Sequence, residues 1–116
     1  MHNFKKLDVW IKSVELVVDI YGLIDTFPGL ERFGLSSQMQ RAVISIPTNI
    51  AEGSAKSSNK DFSRFLEIAL GSSYELETEL LISLRLSYVT QEVFEQFQKR
   101  ITEVQRMING LKETLK

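Results

Sequence analysis

Apolar residues recur at spacings of three and four along most of this chain, a pattern that predicts helices rather than strands. The pattern breaks at Phe27-Pro28-Gly29, in the serine-rich stretch 53–59 and near Val89-Thr90. These breaks divide the chain into four helical segments joined by short connections. Short connections make consecutive helices antiparallel. We therefore predict an all-α fold, an antiparallel up-down-up-down four-helix bundle that forms a single domain over residues 1–116.

The first segment, residues 7–27, is apolar on two faces. One seam has the spacing of a bundle helix, and its members are Leu7, Trp10, Val14, Val17, Tyr21 and Ile24. A second seam, interrupted by Ser13, consists of Val9, Leu16, Ile20, Leu23 and Phe27, and Ile11 and Val18 extend it. The surface helix of a monomer normally carries a single apolar stripe. We expect the first seam to face the core, and the helix either to lie centrally or to contact another subunit through its second seam.

The second segment contains a proline. Ser36 or Ser37 can cap its start, and it extends to Glu52-Gly53. Pro47 removes one helical hydrogen bond, which predicts a kinked helix. Two short helices with a break before Pro47 are the alternative, but the apolar spacing stays in phase across the proline and favours one helix.

The third and fourth segments begin with hydroxyl caps. Ser58 precedes a three-four pattern that continues to Tyr88, and Thr90 precedes a strict apolar seam that continues to the end of the sequence. We expect these two segments to form a long helical hairpin.

Composition limits the functional classes. With 43% hydrophobic and 25% charged residues, the chain has the make-up of a soluble globular domain. No apolar run approaches the roughly 20 residues that cross a membrane. The absence of cysteine excludes disulfides and thiolate metal sites and fits a cytoplasmic protein. The net charge of -1 lacks the basic excess typical of free-standing nucleic-acid binders. We expect no cofactor, no membrane association and no small-molecule substrate.

Polar side chains occur inside the second and third segments, where a bundle buries most positions. One stripe of the second segment, with spacings of four, four and three, is formed by Arg41, Ser45, Asn49 and Glu52. In a hairpin of the two segments, this stripe faces Arg64, Ser72 and Glu75. Because an unpaired charge in a packed interior costs several kcal/mol, we predict the ion pairs Arg41–Glu75 and Glu52–Arg64.

Three interpretations of this polar stripe are open. Its residues satisfy one another and fix the helix register, or they line a site for a ligand or partner, or Glu52 acts as a general base. No nucleophile constellation, phosphate-binding glycine loop or metal-ligand spacing accompanies Glu52. We therefore favour the structural interpretation and predict that the protein is not an enzyme.

Basic residues are concentrated in the fourth segment, at Lys99, Arg100, Arg106 and Lys112. Glutamates are interleaved with them, and alternating charge signs are typical of a solvated helix face. The alternative is that these four residues form a nucleic-acid contact.

Two motifs carry a family resemblance: Ser45-Ile46-Pro47-Thr48-Asn49-Ile50-Ala51-Glu52-Gly53 and Ala69-Leu70-Gly71-Ser72-Ser73-Tyr74-Glu75-Leu76. With Leu7-Asp8-Val9-Trp10 and Phe27-Pro28, they resemble a family of small bacterial four-helix-bundle proteins. These ribosomal protein-like proteins are encoded within intervening sequences of large-subunit ribosomal RNA genes. Related proteins are the accessory variability determinants of diversity-generating retroelements, pentameric barrels that associate with a reverse transcriptase and nucleic acid. The resemblance implies a homo-oligomer, specifically a pentamer.

Together these observations predict a non-enzymatic, homo-oligomeric helical scaffold or interaction module that belongs to a nucleoprotein complex. The alternative is an accessory protein that binds RNA or DNA directly and partners a reverse transcriptase or ribosomal RNA.

Overall fold

A computed structural model of the protein describes residues 2–116. Its four α-helices are α1 (Asp8–Ile24), α2 (Leu35–Ser54), α3 (Asn59–Arg85) and α4 (Gln91–Thr114). Short 3-10 turns precede α1 and α2, and the described residues contain no strand. Each helix packs against the next one along the chain, and α4 also packs against α1. Helices α1 and α3 therefore lie diagonally across the bundle, and their backbones do not approach each other within the described chain. The predicted all-α four-helix bundle is confirmed.

Every helix contributes side chains to one continuous core. The largest fully buried residues are Leu16, Ile20, Met39, Val43, Ile46, Ile50, Phe62, Leu66, Leu76, Leu80, Ile101 and Ile108. Complete burial of one such side chain stabilises the fold by about 1.5–3 kcal/mol. Over residues 2–116, none of the helices is long and apolar enough to cross a membrane.

The orientation predicted for α1 is only partly correct. In the first seam, Ile24 is buried and Leu7, Trp10 and Val17 pack partly against the core, but the second seam lies at the centre of the buried face. Val9 and Leu16 of the second seam are only 4% and 1% exposed and belong to the core, and Leu23 packs partly against it. In the first seam, Tyr21 is 39% exposed and Val14 is half-buried. The seam expected to contact another subunit is therefore the one that the bundle itself buries.

Ser13 explains why the prediction chose the wrong face. In the sequence, Ser13 interrupts the second seam, but in the structure it is fully buried within that seam. Its hydroxyl donates a hydrogen bond of 2.8 Å to the carbonyl of Trp10, so burial leaves no unsatisfied donor. When both faces of a helix are apolar, a satisfied serine can occupy the core face, and periodicity alone does not choose between the faces.

The starts of α3 and α4 agree with the sequence, whereas the start of α2 does not. The hydroxyls of Ser58 and Thr90 accept hydrogen bonds from backbone N–H groups at 3.1 and 3.2 Å, as predicted for caps. Helix α2 begins at Leu35, before either serine proposed as its cap. The Glu31 carboxylate accepts the Leu35 N–H at 3.2 Å and takes the role of the cap.

Helix α2 continues through Pro47, so the alternative of two short helices is wrong. Its last turn crosses the start of α3 at very short range. A Cβ atom added to Gly53 would lie 2.7 Å from Cβ of Phe65 and 3.0 Å from a ring carbon of Phe62. Only glycine allows this approach, which brings the polar stripe of α2 alongside α3.

Candidate interaction surfaces

A surface pocket of about 320 Å³ lies between α2 and α3. Helix α2 lines it with Gln38, Arg41, Ala42 and Ser45, and α3 lines it with Ser72, Glu75 and Glu79. We call it the α2–α3 pocket. Four of the seven polar residues predicted to cluster are in this lining, namely Arg41, Ser45, Ser72 and Glu75.

Hydroxyl and amide groups join the two helices beside this pocket. Ser72 donates a hydrogen bond of 2.8 Å to the Ser45 hydroxyl, which links α3 to α2. The Asn49 amide donates to the carbonyl and the hydroxyl oxygen of Ser45 at 2.8 and 2.9 Å. These contacts satisfy the three small polar side chains and fix the position of one helix against the other.

The two predicted ion pairs are not formed. Within residues 2–116, no nitrogen of the Arg41 guanidinium lies within 4.0 Å of a Glu75 carboxylate oxygen, although both residues line the same pocket. Arg64 pairs instead with Asp61, one turn before it, at 3.2 Å, and Glu52 is exposed outside the pocket. All four of these charged residues are exposed. A surface ion pair contributes only about 0–1 kcal/mol, so leaving these side chains unpaired across the helices costs little.

Glu79 is the charged residue of the α2–α3 pocket that the sequence pattern did not predict. Its side chain belongs to the buried set, at 8% exposure, and Oε1 has no hydrogen-bond partner among the described residues. Burial, with a smaller contribution from the negative charge of Glu75, raises the pKa of Glu79 to about 7. Glu79 follows Ser72 by seven residues, a spacing that places both on the same stripe of α3. This spacing could have predicted that Glu79 belongs to the pocket.

Two helix faces expose apolar side chains. The α1 face contains Ile11, Val14, Val18 and Tyr21, and Val18 is 65% exposed. The α3 face contains Ile68, Tyr74, Leu81 and Ile82, each more than two-fifths exposed. Because α1 and α3 are diagonal in the bundle, these two faces lie on different sides of the molecule.

Comparison with known proteins gives a family. The pattern of the 23S rRNA-intervening sequence protein family matches residues 5–110. The chain belongs to this family. A solved structure of a protein of unknown function from the S23 ribosomal protein family of Bacteroides thetaiotaomicron is similar in fold and sequence. It superposes with a TM-score of 0.81 at 31% identity, over 90% of this chain and 97% of that one. No curated protein matches the chain.

In this 23S rRNA-intervening sequence family member, the pocket chemistry suits binding. Arg41, Glu75 and Glu79 bring one guanidinium and two carboxyl groups into one depression. Ser45 and Ser72 bond to each other rather than to a base that could activate them. Over the described residues, histidine and acidic side chains form no group of three or more that could hold a metal ion.

The basic residues of α4 form a mixed-charge surface in this family member. Arg100 pairs with Asp19 at 2.8 Å, and Lys112 lies 3.4 Å from Glu67. Lys99 and Arg106 share a shallow depression with two glutamates, Glu95 and Glu103. The four residues proposed as an alternative nucleic-acid contact are therefore accompanied by acidic side chains along the whole helix.

Proposed function

We propose that the protein is a non-enzymatic helical scaffold that assembles into a closed homo-oligomer and serves as an interaction module of a nucleoprotein complex. The observation that carries this proposal is the pair of exposed apolar faces on diagonal helices. Neither face is used inside the subunit, and contiguous exposed apolar surface is typical of interaction sites.

The α1 face has the spacing of a helix-packing seam. Ile11, Val14, Val18 and Tyr21 follow each other at intervals of three, four and three, the repeat that lets one helix pack along another. The core seam of α1 has its own members, so this is a second, separate seam on the same helix. Its burial against another subunit supplies the driving force for assembly.

The α3 face contains a glycine that the isolated chain does not need. Gly71 lies inside α3, where glycine costs about 1 kcal/mol relative to alanine. A Cβ atom at this position would meet no other atom within 4 Å, so packing within the subunit does not require glycine. In the proposed assembly, Gly71 allows a helix from a second copy to approach the α3 face closely.

The α1 face and the α3 face differ and lie on different sides of the molecule, which favours a head-to-tail arrangement of copies. The α1 face of one copy meets the α3 face of the next, and such heterologous contacts close into a ring when the rotation between copies permits. The number of copies, five, rests on the resemblance to the pentameric accessory variability determinants of retroelements.

The test of this assembly is the mass of the particle in solution for two matched variants. Val18→Asp places a charge in the α1 face at a largely exposed position, so the fold is expected to persist while assembly is lost. Gln96→Asp adds the same charge to the solvated surface of α4 and is expected to leave the mass unchanged. Light scattering after size-exclusion chromatography measures both, and a monomeric wild-type protein contradicts the proposal.

Direct nucleic-acid binding is the competing function, and the mixed charges of α4 and the net charge of -1 favour the scaffold. A filter-binding titration with a 23S rRNA fragment, at salt concentrations between about 50 and 200 mM, distinguishes the two functions. We expect micromolar or weaker binding that barely changes with salt. Tight binding that falls steeply over this range would identify a direct RNA binder.

A further inference from the structure

The α2–α3 pocket contains a carboxyl group that the fold buries without a partner. Glu79 is 8% exposed, and its Oε1 atom accepts no hydrogen bond from the described residues. Buried polar atoms in native proteins are almost always satisfied, so an exception calls for a physical reason. A bound ligand would be such a reason, and the pocket has room for one because about 320 Å³ of space adjoins this side chain.

The charged groups around Glu79 do not neutralise it. From α3, Glu75 adds a second carboxylate one turn earlier, and from α2, Arg41 contributes the guanidinium that lines the pocket. No ion pair within 4.0 Å joins Arg41 to either carboxylate in residues 2–116. The pocket therefore holds one more carboxyl group than cation when all three are ionised.

We propose that the α2–α3 pocket binds a guanidinium or alkylammonium group, whose N–H donors reach the carboxylates of Glu79 and Glu75. Charge-assisted hydrogen bonds of this kind are short and strong. A rotation of the Glu79 side chain toward the ligand also gives a donor to Oε1, which is buried and unpartnered among the described residues. Arg41 repels a second positive charge, so the site selects a molecule or side chain with a single cationic end. Binding of a free cation does not depend on the proposed scaffold function, whereas occupancy by a side chain of a second copy rests on it.

The ionisation of Glu79 gives the site a distinct pH dependence. Burial and the charge of Glu75 raise the pKa of Glu79 to about 7, while Arg41 is the cation facing it from α2. A cationic ligand requires the ionised form, of which roughly one tenth is present one pH unit below the pKa and nine tenths one unit above it. Binding is therefore roughly tenfold weaker at pH 6 than at pH 8, and it releases a proton near pH 6.

The experiment is a titration of the intact protein with methylguanidinium chloride and, separately, with butylammonium chloride. The carboxyl carbon of Glu79, observed by NMR, reports occupancy. Glu79→Gln keeps the shape and removes the charge, and we expect it to weaken binding at least tenfold. Glu67→Gln makes the same charge change on α3 beside Lys112, outside the pocket, and is expected to change binding less than twofold. Tetramethylammonium, a cation without N–H donors, is expected not to compete.

A second arm distinguishes a free ligand from a side chain of another copy. The particle masses of Glu79→Gln and Glu67→Gln are measured without any probe. Saturable binding of a probe at the pocket assigns the site to a free cation. Failure of both probes, together with a lower mass for Glu79→Gln alone, assigns it to a lysine or arginine of a second copy. The proposal is overturned if neither effect occurs, or if Glu79→Gln binds the probes as tightly as the wild-type protein.

Discussion

At the scale of single residues, the polar positions of α2 and α3 have separate roles. Ser45, Asn49 and Ser72 are linked by hydrogen bonds between and along the helices. Arg41 and Glu75 line the pocket without forming an ion pair with each other. The sequence indicated that these residues would lie together because helix periodicity fixes which side chains share a stripe. It did not distinguish the satisfied residues from the unpaired ones, because that depends on how deeply each position is buried.

Gly53 provides the sharpest packing prediction. Gly53→Ala is expected to destabilise the fold by about 1–3 kcal/mol, because the new methyl group overlaps Phe65 at the crossing of α2 and α3. Gly110→Ala is the control, since its Cβ atom meets nothing within 4 Å, and it should gain up to about 1 kcal/mol from helix propensity. Urea unfolding of both variants measures the difference, and equal effects would contradict the close crossing.

Glu79 makes stability depend on pH. Its pKa in the folded protein is raised from 4.5 to about 7, so the folded state holds this proton more tightly than the unfolded chain. The associated stability is present below pH 4.5 and is lost as the pH rises to about 7. Relative to Glu79→Gln, the wild-type protein should lose on the order of 3 kcal/mol over this window. Urea unfolding at pH 5, 6, 7 and 8 measures the free energy of unfolding of the wild-type protein and of Glu79→Gln. If the two free energies change with pH in parallel, the predicted shift in the pKa of Glu79 is contradicted.

At the scale of the elements, the start of α2 shows how a distant contact replaces a local signal. Glu31 accepts the Leu35 N–H through Oε1 and the Tyr88 hydroxyl, at 2.7 Å, through Oε2. This hydrogen bond to Glu31 raises the pKa of Tyr88. The caps of α3 and α4 are local serine and threonine contacts, which the sequence predicts. The cap of α2 was not predictable from local sequence, because the orientation of Glu31 depends on Tyr88, far along the chain.

The contact at Glu31 can be tested by truncation. Glu31→Ala is expected to destabilise the fold by about 1–2 kcal/mol, since it removes both the cap of α2 and the acceptor for Tyr88. Glu113→Ala removes an exposed glutamate of α4 that pairs with Lys116 one turn later and should change stability by less than about 0.5 kcal/mol. Thermal unfolding at one fixed protein concentration distinguishes them. An effect of Glu31→Ala as small as that of the control would rule out the capping role.

At the scale of the whole molecule, the bundle was predictable because four strongly periodic segments with short links allow few arrangements. The orientation of α1 was not, because both of its faces are apolar and a buried serine marks the core side. The correction changes which residues support assembly: Val9 and Leu16 hold the subunit together, while Ile11, Val18 and Tyr21 remain for a neighbour. The excess of apolar surface on α1 thus persists, on a face that combines Ile11 and Val18, which the sequence pattern assigns to the second seam, with Val14 and Tyr21 of the first.

The head-to-tail arrangement predicts how two defective variants behave when they are mixed. Val18→Asp blocks the α1 face, and Ile68→Asp, at a 48% exposed position, blocks the α3 face. Each variant alone has no complementary pair of faces and should remain monomeric. A mixture still contains one intact α1 face and one intact α3 face, on different chains, and can form a single contact.

Native mass spectrometry of this mixture tests the account most directly. We expect monomers for each variant alone, a dimer containing one copy of each variant in the mixture, and a closed ring for the wild-type protein. A variant that still self-associates would show that its face does not form the interface. A mixture that stays entirely monomeric, beside a wild-type protein that is also a monomer, would contradict assembly through the α1 and α3 faces.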